Sequence, residues 1–165
     1  MPELALIAGV ARTGVIGDGE AIPWQYDEDV RQYKDRAAGH PVVVGRRTHD
    51  QMSRIRGTHP VVVTRSPDEH DEADATFVSS VADAVEAVGQ RDDGGYVIGG
   101  QAIYSMFLPY ADRAFVSELP ESANGSHVFP YLGTSWEVTD RTAYDEFSVI
   151  EYRNTDPLSA PGDTS

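Results

Sequence analysis

An aspartate near the start of a predicted helix has the clearest potential for acid–base chemistry. Asp29 lies four residues before Tyr33 and next to Val30, and Val30, Tyr33 and Ala37 form the apolar stripe of that helix. Asp29 therefore borders the buried face, where a carboxylate is costly unless a partner or a ligand compensates its charge. Acidic residues in a first helical turn also complement the helix dipole, so a purely structural role stays open.

A glycine-rich segment, residues 14–24, precedes this helix. It contains three glycines, a proline and the apolar residues Ile22 and Trp24. Such a segment either simply connects two elements or acts as a lid, with Ile22 and Trp24 closing over a ligand and excluding water. Its length favours the lid, because loops this long in compact domains often have a function.

Three segments at the ends of apolar strands have the composition of an anion site. Gly99 and Gly100 lie between a strand and a helix, where the backbone can approach a phosphate closely. A paired glycine is often only a tight turn. However, Arg46, Arg47 and Arg65 also follow apolar strands, and ligands of open α/β sheets bind beyond the carboxyl ends of strands. We therefore predict a site for a phosphate-bearing cofactor.

The composition narrows the class of protein. A chain of 165 residues with 40% hydrophobic content suits one compact domain, and the absence of cysteine excludes disulfides and thiolate metal sites. The 27 acidic residues outnumber the 13 basic ones, and a net charge of -14 repels a nucleic-acid backbone. Lys34 is the only lysine and Asp dominates the acids. We interpret this surface as an adaptation to high salt, where the Debye length shrinks to about 3 Å.

Other kinds of site are not indicated by the sequence. The five histidines are scattered, so no metal site is predicted, and neither a nucleophile elbow nor a Walker motif is present. No apolar run approaches the roughly 20 residues needed to span a bilayer, and the first residues lack the pattern of a secretory signal. We expect a cytoplasmic protein without membrane or nucleic-acid partners, and we take a monomer as the default.

Strands that alternate with helices position these residues. Apolar runs typical of buried strands cover residues 4–10, 41–44, 60–63, 76–78, 96–98, 114–119, 136–139 and 147–152. Helices are predicted over 28–38, over 81–88 with Ser80 as N-cap and Gly89 at the end, and after Gly45 and Gly100. This pattern indicates a largely parallel α/β sheet with helices on both faces and an antiparallel hairpin at one edge. It predicts one domain, 1–153, and a disordered tail, 154–165.

Taken in order, the segments resemble the dihydrofolate reductase family from Leu4 to about Arg153. The resemblance is carried by Leu6-Ile7-Ala8-Gly9, Val15-Ile16-Gly17, Ile22-Pro23-Trp24, Asp29 with Tyr33 and Lys34, Val42–Val44 before Gly45-Arg46-Arg47-Thr48, Val97-Ile98-Gly99-Gly100 with Tyr104, and Phe129-Pro130. It implies a central eight-stranded, mostly parallel sheet with an antiparallel edge strand. It also implies that NADPH binds beside the pterin of dihydrofolate.

The resemblance assigns a role to each candidate residue. Asp29 would bind the 2-amino group and N3 of the pterin and promote protonation at N5, before hydride reaches C6 from the nicotinamide. Ser117 would support Asp29, Trp24 would position a water, and Ile22 belongs with these catalytic residues. Contacts with the substrate are further implied for Ile7, Ala8, Val30, Tyr33, Met52, Arg54 and Ile55. Contacts with the cofactor are implied for Gly9, Val15, Ile16, Gly17, Arg46, Arg47, Thr48, Thr64, Arg65, Ser79, Ile98, Gly99, Gly100, Gln101, Ala102, Ile103 and Tyr104, and the arginines favour NADPH over NADH.

The sequence departs from the family pattern at two positions. Thr58 stands where the family usually has the arginine that grips the glutamate α-carboxylate of the substrate. Either Arg54, Arg56 or Lys34 replaces that arginine, or recognition of the glutamate tail is weak. Ser126 stands where a loop acid is common, which puts the usual contact with the lid in doubt.

Two alternative functions stay open. A riboflavin-pathway pyrimidine reductase of the same fold would explain Thr58, but not Asp29 with Ile22 and Trp24 upstream. A nucleotide-binding module without catalysis predicts NADPH binding without folate binding, with Asp29 acting only as a helix-capping charge.

Overall fold

The computed structural model describes residues 2–10, 15–17, 27–51, 55, 57–69, 74–118, 127–128, 132–144 and 147–158; for residues 15–17, 27–30, 51, 69 and 127–128 it describes the backbone alone. The strands are β1 (Glu3–Val10), β2 (Val15–Gly17), β3 (Pro41–Gly45), β4 (His59–Val63), β5 (Thr76–Val78), β6 (Gly94–Val97), β7 (Arg113–Glu118), β8 (His127–Val128), β9 (Trp136–Ala143) and β10 (Ser148–Asn154). The helices are α1 (Asp27–Ala37), α2 (Arg46–Gln51), α3 (Val81–Gly89) and α4 (Gln101–Phe107), with 3₁₀ turns at Pro67–Glu69 and Leu108–Tyr110.

Eight of the described strands form one sheet in the order β5-β4-β3-β6-β1-β7-β10-β9. The first six run parallel, and β10 runs antiparallel to both β7 and β9. The predicted mixed sheet with an antiparallel hairpin at one edge is therefore confirmed, and the reversed strand is the inner one of that hairpin. Strands β3 and β4 are almost wholly buried, which explains why their sequences are continuous apolar runs.

Alternate residues of the central strand β1 enter two separate cores. Leu4, Leu6 and Ala8 pack with apolar residues of α3 and α4 in the larger core. Ile7 instead packs with Ala37 of α1 in the smaller core. Because successive side chains of a strand point to opposite faces, α1 covers one face of the sheet and α3 and α4 cover the other. Helices on both faces are thus confirmed.

Local sequence signals set the ends of two helices. The Ser80 hydroxyl oxygen accepts the backbone N–H of Asp83 at 3.1 Å, which is the N-cap predicted for α3. Helix α1 begins at Asp27 and has basic residues in its last turn, an arrangement that complements the helix dipole. The chain leaves α1 through Gly39, whose φ of 81° is in the left-handed region that glycine adopts without steric cost.

A second, two-stranded sheet of β2 and β8 has no counterpart in the sequence prediction. In this sheet Val15 pairs with Val128, and Gly17 pairs with His127, in antiparallel register. Strands of two or three residues are too short to show a hydrophobic period, and the two partners lie far apart in the chain. Long-range pairing therefore positions the start of the segment that the sequence analysis treats only as a connection or a lid.

The carboxyl-terminal end of the fold lies beyond the predicted boundary. Asn154 is the last residue of β10, is only 5% exposed, and donates its side-chain amide to the Ala111 carbonyl at 3.0 Å. Thr155 and Leu158 also donate backbone hydrogen bonds to earlier segments. The tail predicted from Asn154 is therefore corrected at its start, because one buried amide anchors a segment of polar composition. Residues 159–165 lie outside the described residues.

We expect Asn154→Ala to lower the free energy of unfolding by about 1–3 kcal/mol, because it leaves the Ala111 carbonyl without its side-chain donor in the interior. Chemical denaturation at constant high KCl measures the change. Thr155→Ala is the matched control, because its hydroxyl makes an exposed hydrogen bond to Ser135. Equal losses in the two variants would show that burial of Asn154 is not the cause.

Candidate active site

The predicted site residues gather along one edge of the sheet. The six parallel strands share one direction, so their carboxyl ends meet at the same edge. Residues predicted to bind a cofactor follow there in spatial order: Ser79 after β5, Thr64 and Arg65 after β4, Arg46, Arg47 and Thr48 after β3, and Ile98, Gly99 and Gly100 after β6. Gly9 of β1 and Ser117 of β7 are direct neighbours across the sheet.

The ends of β3 and β6 approach each other through backbone contacts. The N–H of Gly45 donates to the carbonyl of Gly99 at 2.9 Å, and the peptide bond between Gly99 and Gly100 is cis. A Cβ atom on Gly45 would lie 3.1 Å from Ile103 Cγ1. One on Gly99, whose φ is 115°, would lie 3.1 Å from Tyr104 Oη. Packing at Gly45 and backbone conformation at Gly99 therefore favour glycine, and backbone groups dominate this part of the edge.

Three arginines bring positive charge to the same edge. Arg47 and Arg65 are exposed, and Arg46 pairs with Asp50 one helical turn later at 3.1 Å. The backbone N–H of Thr64 donates to the end of β5 at 2.8 Å and so holds the ends of β4 and β5 together. Exposed guanidinium groups keep their donors accessible to an anion, so this edge suits a phosphate.

Tyr104 links α4 to the central strand. Its side chain is buried, and its hydroxyl donates to the Ile7 carbonyl at 2.6 Å. Ile7 is predicted on the substrate side and Tyr104 on the cofactor side, so this hydrogen bond joins the two predicted subsites. Gln101 and Ala102, at the start of α4, are more exposed than Tyr104.

Most of the described residues predicted to enclose the substrate belong to the smaller core. Ile7 and Ile55 are buried there, and Tyr33 packs against this cluster. Ile98, which is predicted to contact the cofactor, packs against the same cluster. The side chain of Ala8 packs instead in the larger core on the other face, as the alternation along β1 requires. Only the backbone of Ala8 therefore borders the α1 face.

Ser117 is a buried polar residue on the α1 face of the sheet. Ser117 is only 2% exposed. Its Oγ accepts a hydrogen bond from the side-chain amide of Gln32 at 3.2 Å. The Gln32 carbonyl oxygen in turn accepts Arg36 Nη1 at 3.1 Å. The Arg36 guanidinium lies 4.1 Å from the centre of the Phe115 ring. A polar chain thus runs from Arg36 through Gln32 to Ser117 between α1 and β7.

Sequence reasoning missed Gln32 and Arg36. A neutral amide on a helix carries no chemical signal of its own, and Arg36 resembles an ordinary surface cation in the last turn. The available signal was spacing, because Gln32 lies three residues after Asp29 and four before Arg36. That spacing places all three residues on one side of α1.

Thr58 closes a tight turn and is not directed outward. Its hydroxyl donates to the Ile55 carbonyl at 2.7 Å, and its backbone N–H donates to the same oxygen at 3.2 Å. Gly57 supports the turn with a φ of 73°. The Thr58 hydroxyl is therefore committed within the chain and does not replace the carboxylate-gripping arginine of the resemblance.

Several predicted site residues lie outside the described residues, namely Trp24, Ile22, Met52 and Arg54. For Asp29 and Val30 the backbone is described within α1, and for Val15, Ile16 and Gly17 within β2, but their side chains are not described. The roles given to these side chains stay predictions.

Within the described segments, no group of three or more His, Asp or Glu side chains is arranged to hold a metal ion, and no helix is long and apolar enough to cross a membrane.

A hydrogen bond with His40, 2.7 Å long, lowers the pKa of Asp92. His40 and Asp92 precede β3 and β6 and so lie at the opposite edge of the sheet.

The fold and the site define an α/β protein with exposed arginines at the carboxyl edge of the sheet beside an apolar cluster. The sequence profile of dihydrofolate reductase matches residues 3–155. Dihydrofolate reductase 1 of Haloarcula marismortui is 40% identical over 94% of this chain and 93% of its own length. Dihydrofolate reductase HdrB of Haloferax volcanii is 36% identical over 94% of this chain and 85% of its own length. The chain belongs to the dihydrofolate reductase family.

A solved structure supports the same fold. The dihydrofolate reductase from Enterococcus faecalis complexed with NADP(H) and RAB-propyl superposes with a TM-score of 0.84, covering 93% of this chain and 97% of that chain. At 21% sequence identity this similarity shows that the two chains share the fold. The two archaeal relatives come from halophiles, which supports the interpretation of the acidic surface as a salt adaptation.

Proposed function

We propose that this chain reduces 7,8-dihydrofolate to 5,6,7,8-tetrahydrofolate with NADPH and thereby supplies reduced folate for one-carbon metabolism. The observation that carries the proposal is the junction at β1. There the phosphate-suited edge meets the apolar cluster, and Tyr104 and Ile7 join the two through a 2.6 Å hydrogen bond. The family assignment supports the same reaction.

The residues at the edge fit a phosphate-bearing dinucleotide. Gly99 and Gly100 present backbone rather than side chains, and Arg47 and Arg65 expose guanidinium groups at the ends of neighbouring strands. These groups, with Thr48 and Thr64, would hold the phosphates of NADPH. When bound, the cofactor supplies a hydride from nicotinamide C4 to C6 of the pterin.

The chain itself contributes binding, water exclusion and proton placement. Asp29 binds the 2-amino group and N3 of the pterin, and its negative charge favours the pterin protonated at N5. One hydride at C6 and one proton at N5 convert dihydrofolate to tetrahydrofolate and leave NADP⁺. Tyr33 and Ile55 provide apolar contacts to the pterin. Ile22 and Trp24 belong to the segment, residues 14–24, that is predicted to act as a lid.

The glutamate tail of the substrate must be held differently from the family pattern. The Thr58 hydroxyl is committed to the Ile55 carbonyl, so it cannot supply the charge of the usual arginine. Lys34 is a half-buried cation on α1, one residue after Tyr33, which is predicted to contact the substrate. We assign the tail carboxylates to Lys34, with Arg54 and Arg56 as further cations of the same region.

The test is oxidation of NADPH with dihydrofolate as acceptor, in molar KCl. Turnover that depends on dihydrofolate supports the proposal. Tight NADPH binding with no dihydrofolate-dependent turnover would instead favour the pyrimidine reductase of the same fold, and the same assay with a ribosylated pyrimidine acceptor separates that alternative.

We expect Arg47→Gln and Arg65→Gln each to weaken NADPH binding about tenfold or more, because a hydrogen bond to a charged group contributes roughly 1.5–3 kcal/mol. Substitution of whichever arginine contacts the 2′-phosphate should leave the affinity for NADH unchanged, since NADH lacks this group. Titration of cofactor fluorescence measures both affinities. Arg113→Gln is the matched control: it removes the same charge from an exposed arginine at the opposite edge, where Arg113 pairs with Glu3. An equal loss in the control would mean that general charge, not a local site, determines affinity.

A further inference from the structure

Arg46 differs from the two other arginines of the predicted cofactor edge in having an acidic partner. Its Nη1 lies 3.1 Å from Oδ2 of Asp50, one helical turn later on α2, and both side chains are about half exposed. Arg47 and Arg65 are exposed and form no ion pair with any acid in the part of the chain that the structure describes. One cation of the edge therefore has its own counter-charge, whereas the other two face solvent.

The stability of α2 does not account for this pair. Arg46 is the first residue of the helix and Asp50 is the fifth, so the cation lies at the amino end and the acid lies toward the carboxyl end. The helix dipole favours the reverse order, and exposed ion pairs contribute little to folding. An explanation must therefore come from the place of Arg46 at the edge of the sheet.

The first turn of α2 is held against the glycine junction of the predicted cofactor site. Directly before Arg46, the N–H of Gly45 donates to the Gly99 carbonyl at 2.9 Å. Two residues after Arg46, the Thr48 Oγ1 atom would lie 3.5 Å from a Cβ atom on Gly100. The backbone of Arg46 is thus fixed between two contacts with this junction, and its long side chain is the part that can change partner.

We propose that Asp50 is an internal counter-ion of Arg46, which a phosphate group of NADPH displaces when the cofactor binds. A guanidinium presents its N–H donors equally well to a carboxylate and to a phosphate, so Arg46 exchanges one partner for the other. Binding then releases a carboxylate that stays in the protein instead of an anion from the solution. This inference rests on the proposed function, because it requires a phosphate-bearing cofactor at this edge. It adds Asp50, to which the family resemblance gives no role.

An internal counter-ion makes the affinity for the cofactor less dependent on salt. An arginine without a partner attracts anions from solution, and the release of such ions on binding makes the affinity for a phosphate fall as the salt concentration rises. Asp50 takes the place of such an anion at every KCl concentration, so Arg46 adds little to the salt dependence. At low salt Asp50 weakens binding, because its ion pair with Arg46 must be broken first.

Asp50→Asn tests this role with little change of shape. At about 0.1 M KCl we expect the Kd for NADPH to fall about two- to fivefold, because the variant has no exposed ion pair to break. At about 1 M KCl the Debye length is about 3 Å, and the two Kd values should agree within about 1.5-fold. The Kd of the variant should therefore rise more steeply with KCl than that of wild type. Titrations of cofactor fluorescence across a KCl series measure both, at about pH 8, where histidine is mostly neutral. Sucrose in every sample stabilises the fold at low salt without adding ions.

Two controls separate a counter-ion of Arg46 from a general effect of charge. Asp140→Asn removes the same charge from the exposed strand β9, which is the fifth strand from β3 along the sheet, and it should leave the Kd unchanged. In an Arg46→Gln background, Asp50→Asn should change the Kd by less than about 1.5-fold, since the pair that it breaks is already absent. The same fold-change in both backgrounds would show that Asp50 only repels the cofactor, and this would overturn the proposal.

The outcomes separate the inference from the function on which it rests. If wild-type protein binds NADPH and Asp50→Asn binds it equally, more weakly, or more tightly by one constant factor across the KCl series, the inference alone is overturned. Wild-type protein that binds no NADPH at any KCl concentration overturns the proposed function and the inference together. Melting temperatures in the same buffers identify any change of affinity that comes from unfolding, because a merely structural Asp50 would change the melting temperature and not the salt dependence of the Kd.

Discussion

Replacement of Asp29 by asparagine is expected to lower dihydrofolate turnover at pH 7 by about 10²–10⁴-fold, the usual range for loss of an acid–base group. Asparagine keeps the size of the side chain and one acceptor oxygen, but it replaces the second oxygen with an N–H donor and has no negative charge. Without that charge the pterin is protonated at N5 less readily, so less of the reactive form is present when the hydride arrives. NADPH affinity should not change, because the predicted phosphate contacts lie at other strands.

The same loss of charge predicts how the turnover of Asp29→Asn depends on pH. In wild-type enzyme the charge of Asp29 favours pterin protonation at neutral pH, whereas in Asp29→Asn the proton must come from solution without that help. Turnover of the variant should therefore recover partly as the pH falls, and the ratio of wild-type to variant rates should shrink. Steady-state rates across the acidic range, with NADPH binding measured in parallel, test it. Near-normal activity of Asp29→Asn at neutral pH would refute the assigned role and favour a helix-capping charge.

Much of the fold could be predicted because its signals are local. The continuous apolar run 41–44 became the buried strand β3, and the Ser80 hydroxyl caps α3 as its spacing predicts. A side chain that packs by strand alternation follows from the sequence once the strand is known. The opposite placements of Ile7 and Ala8 on β1 are of this kind, although the resemblance grouped them together.

The parts that could not be predicted depend on contacts between distant segments. The pairing of β2 with β8 and the burial of Asn154 against Ala111 are not indicated by the sequence around any of these residues. The polar chain at Ser117 has the same origin, because Gln32 reaches Ser117 only through the way α1 crosses β7. The candidate cofactor edge was predictable in outline because strand ends and arginines are visible in sequence. The hydrogen-bond direction at Ser117 required the placement of Arg36.

The stability of this protein is expected to rise steeply between low salt and molar KCl. Two effects of salt oppose each other. Salt weakens attractive pairs, but the described pairs Arg113–Glu3, Arg141–Glu118 and Arg46–Asp50 are all about half exposed, and exposed pairs typically contribute only about 0–1 kcal/mol each. Salt also screens repulsion, and here 27 acidic residues face only 13 basic ones. The Debye length falls from about 10 Å at 0.1 M to about 3 Å at 1 M, so most of this repulsion is removed.

Relief of repulsion therefore dominates, and the melting temperature should increase by at least about 5 °C, which corresponds to about 2 kcal/mol for a chain of this size. Thermal unfolding in a KCl series measures the slope. A matched Glu86→Gln, Glu137→Gln double variant removes two exposed charges, so it should melt higher than wild type at low salt and show a shallower dependence on KCl. A melting temperature that is flat or falls with KCl would contradict the salt adaptation. A rise with an identical slope in the double variant would assign the effect to salt acting on apolar burial, which does not depend on surface charge.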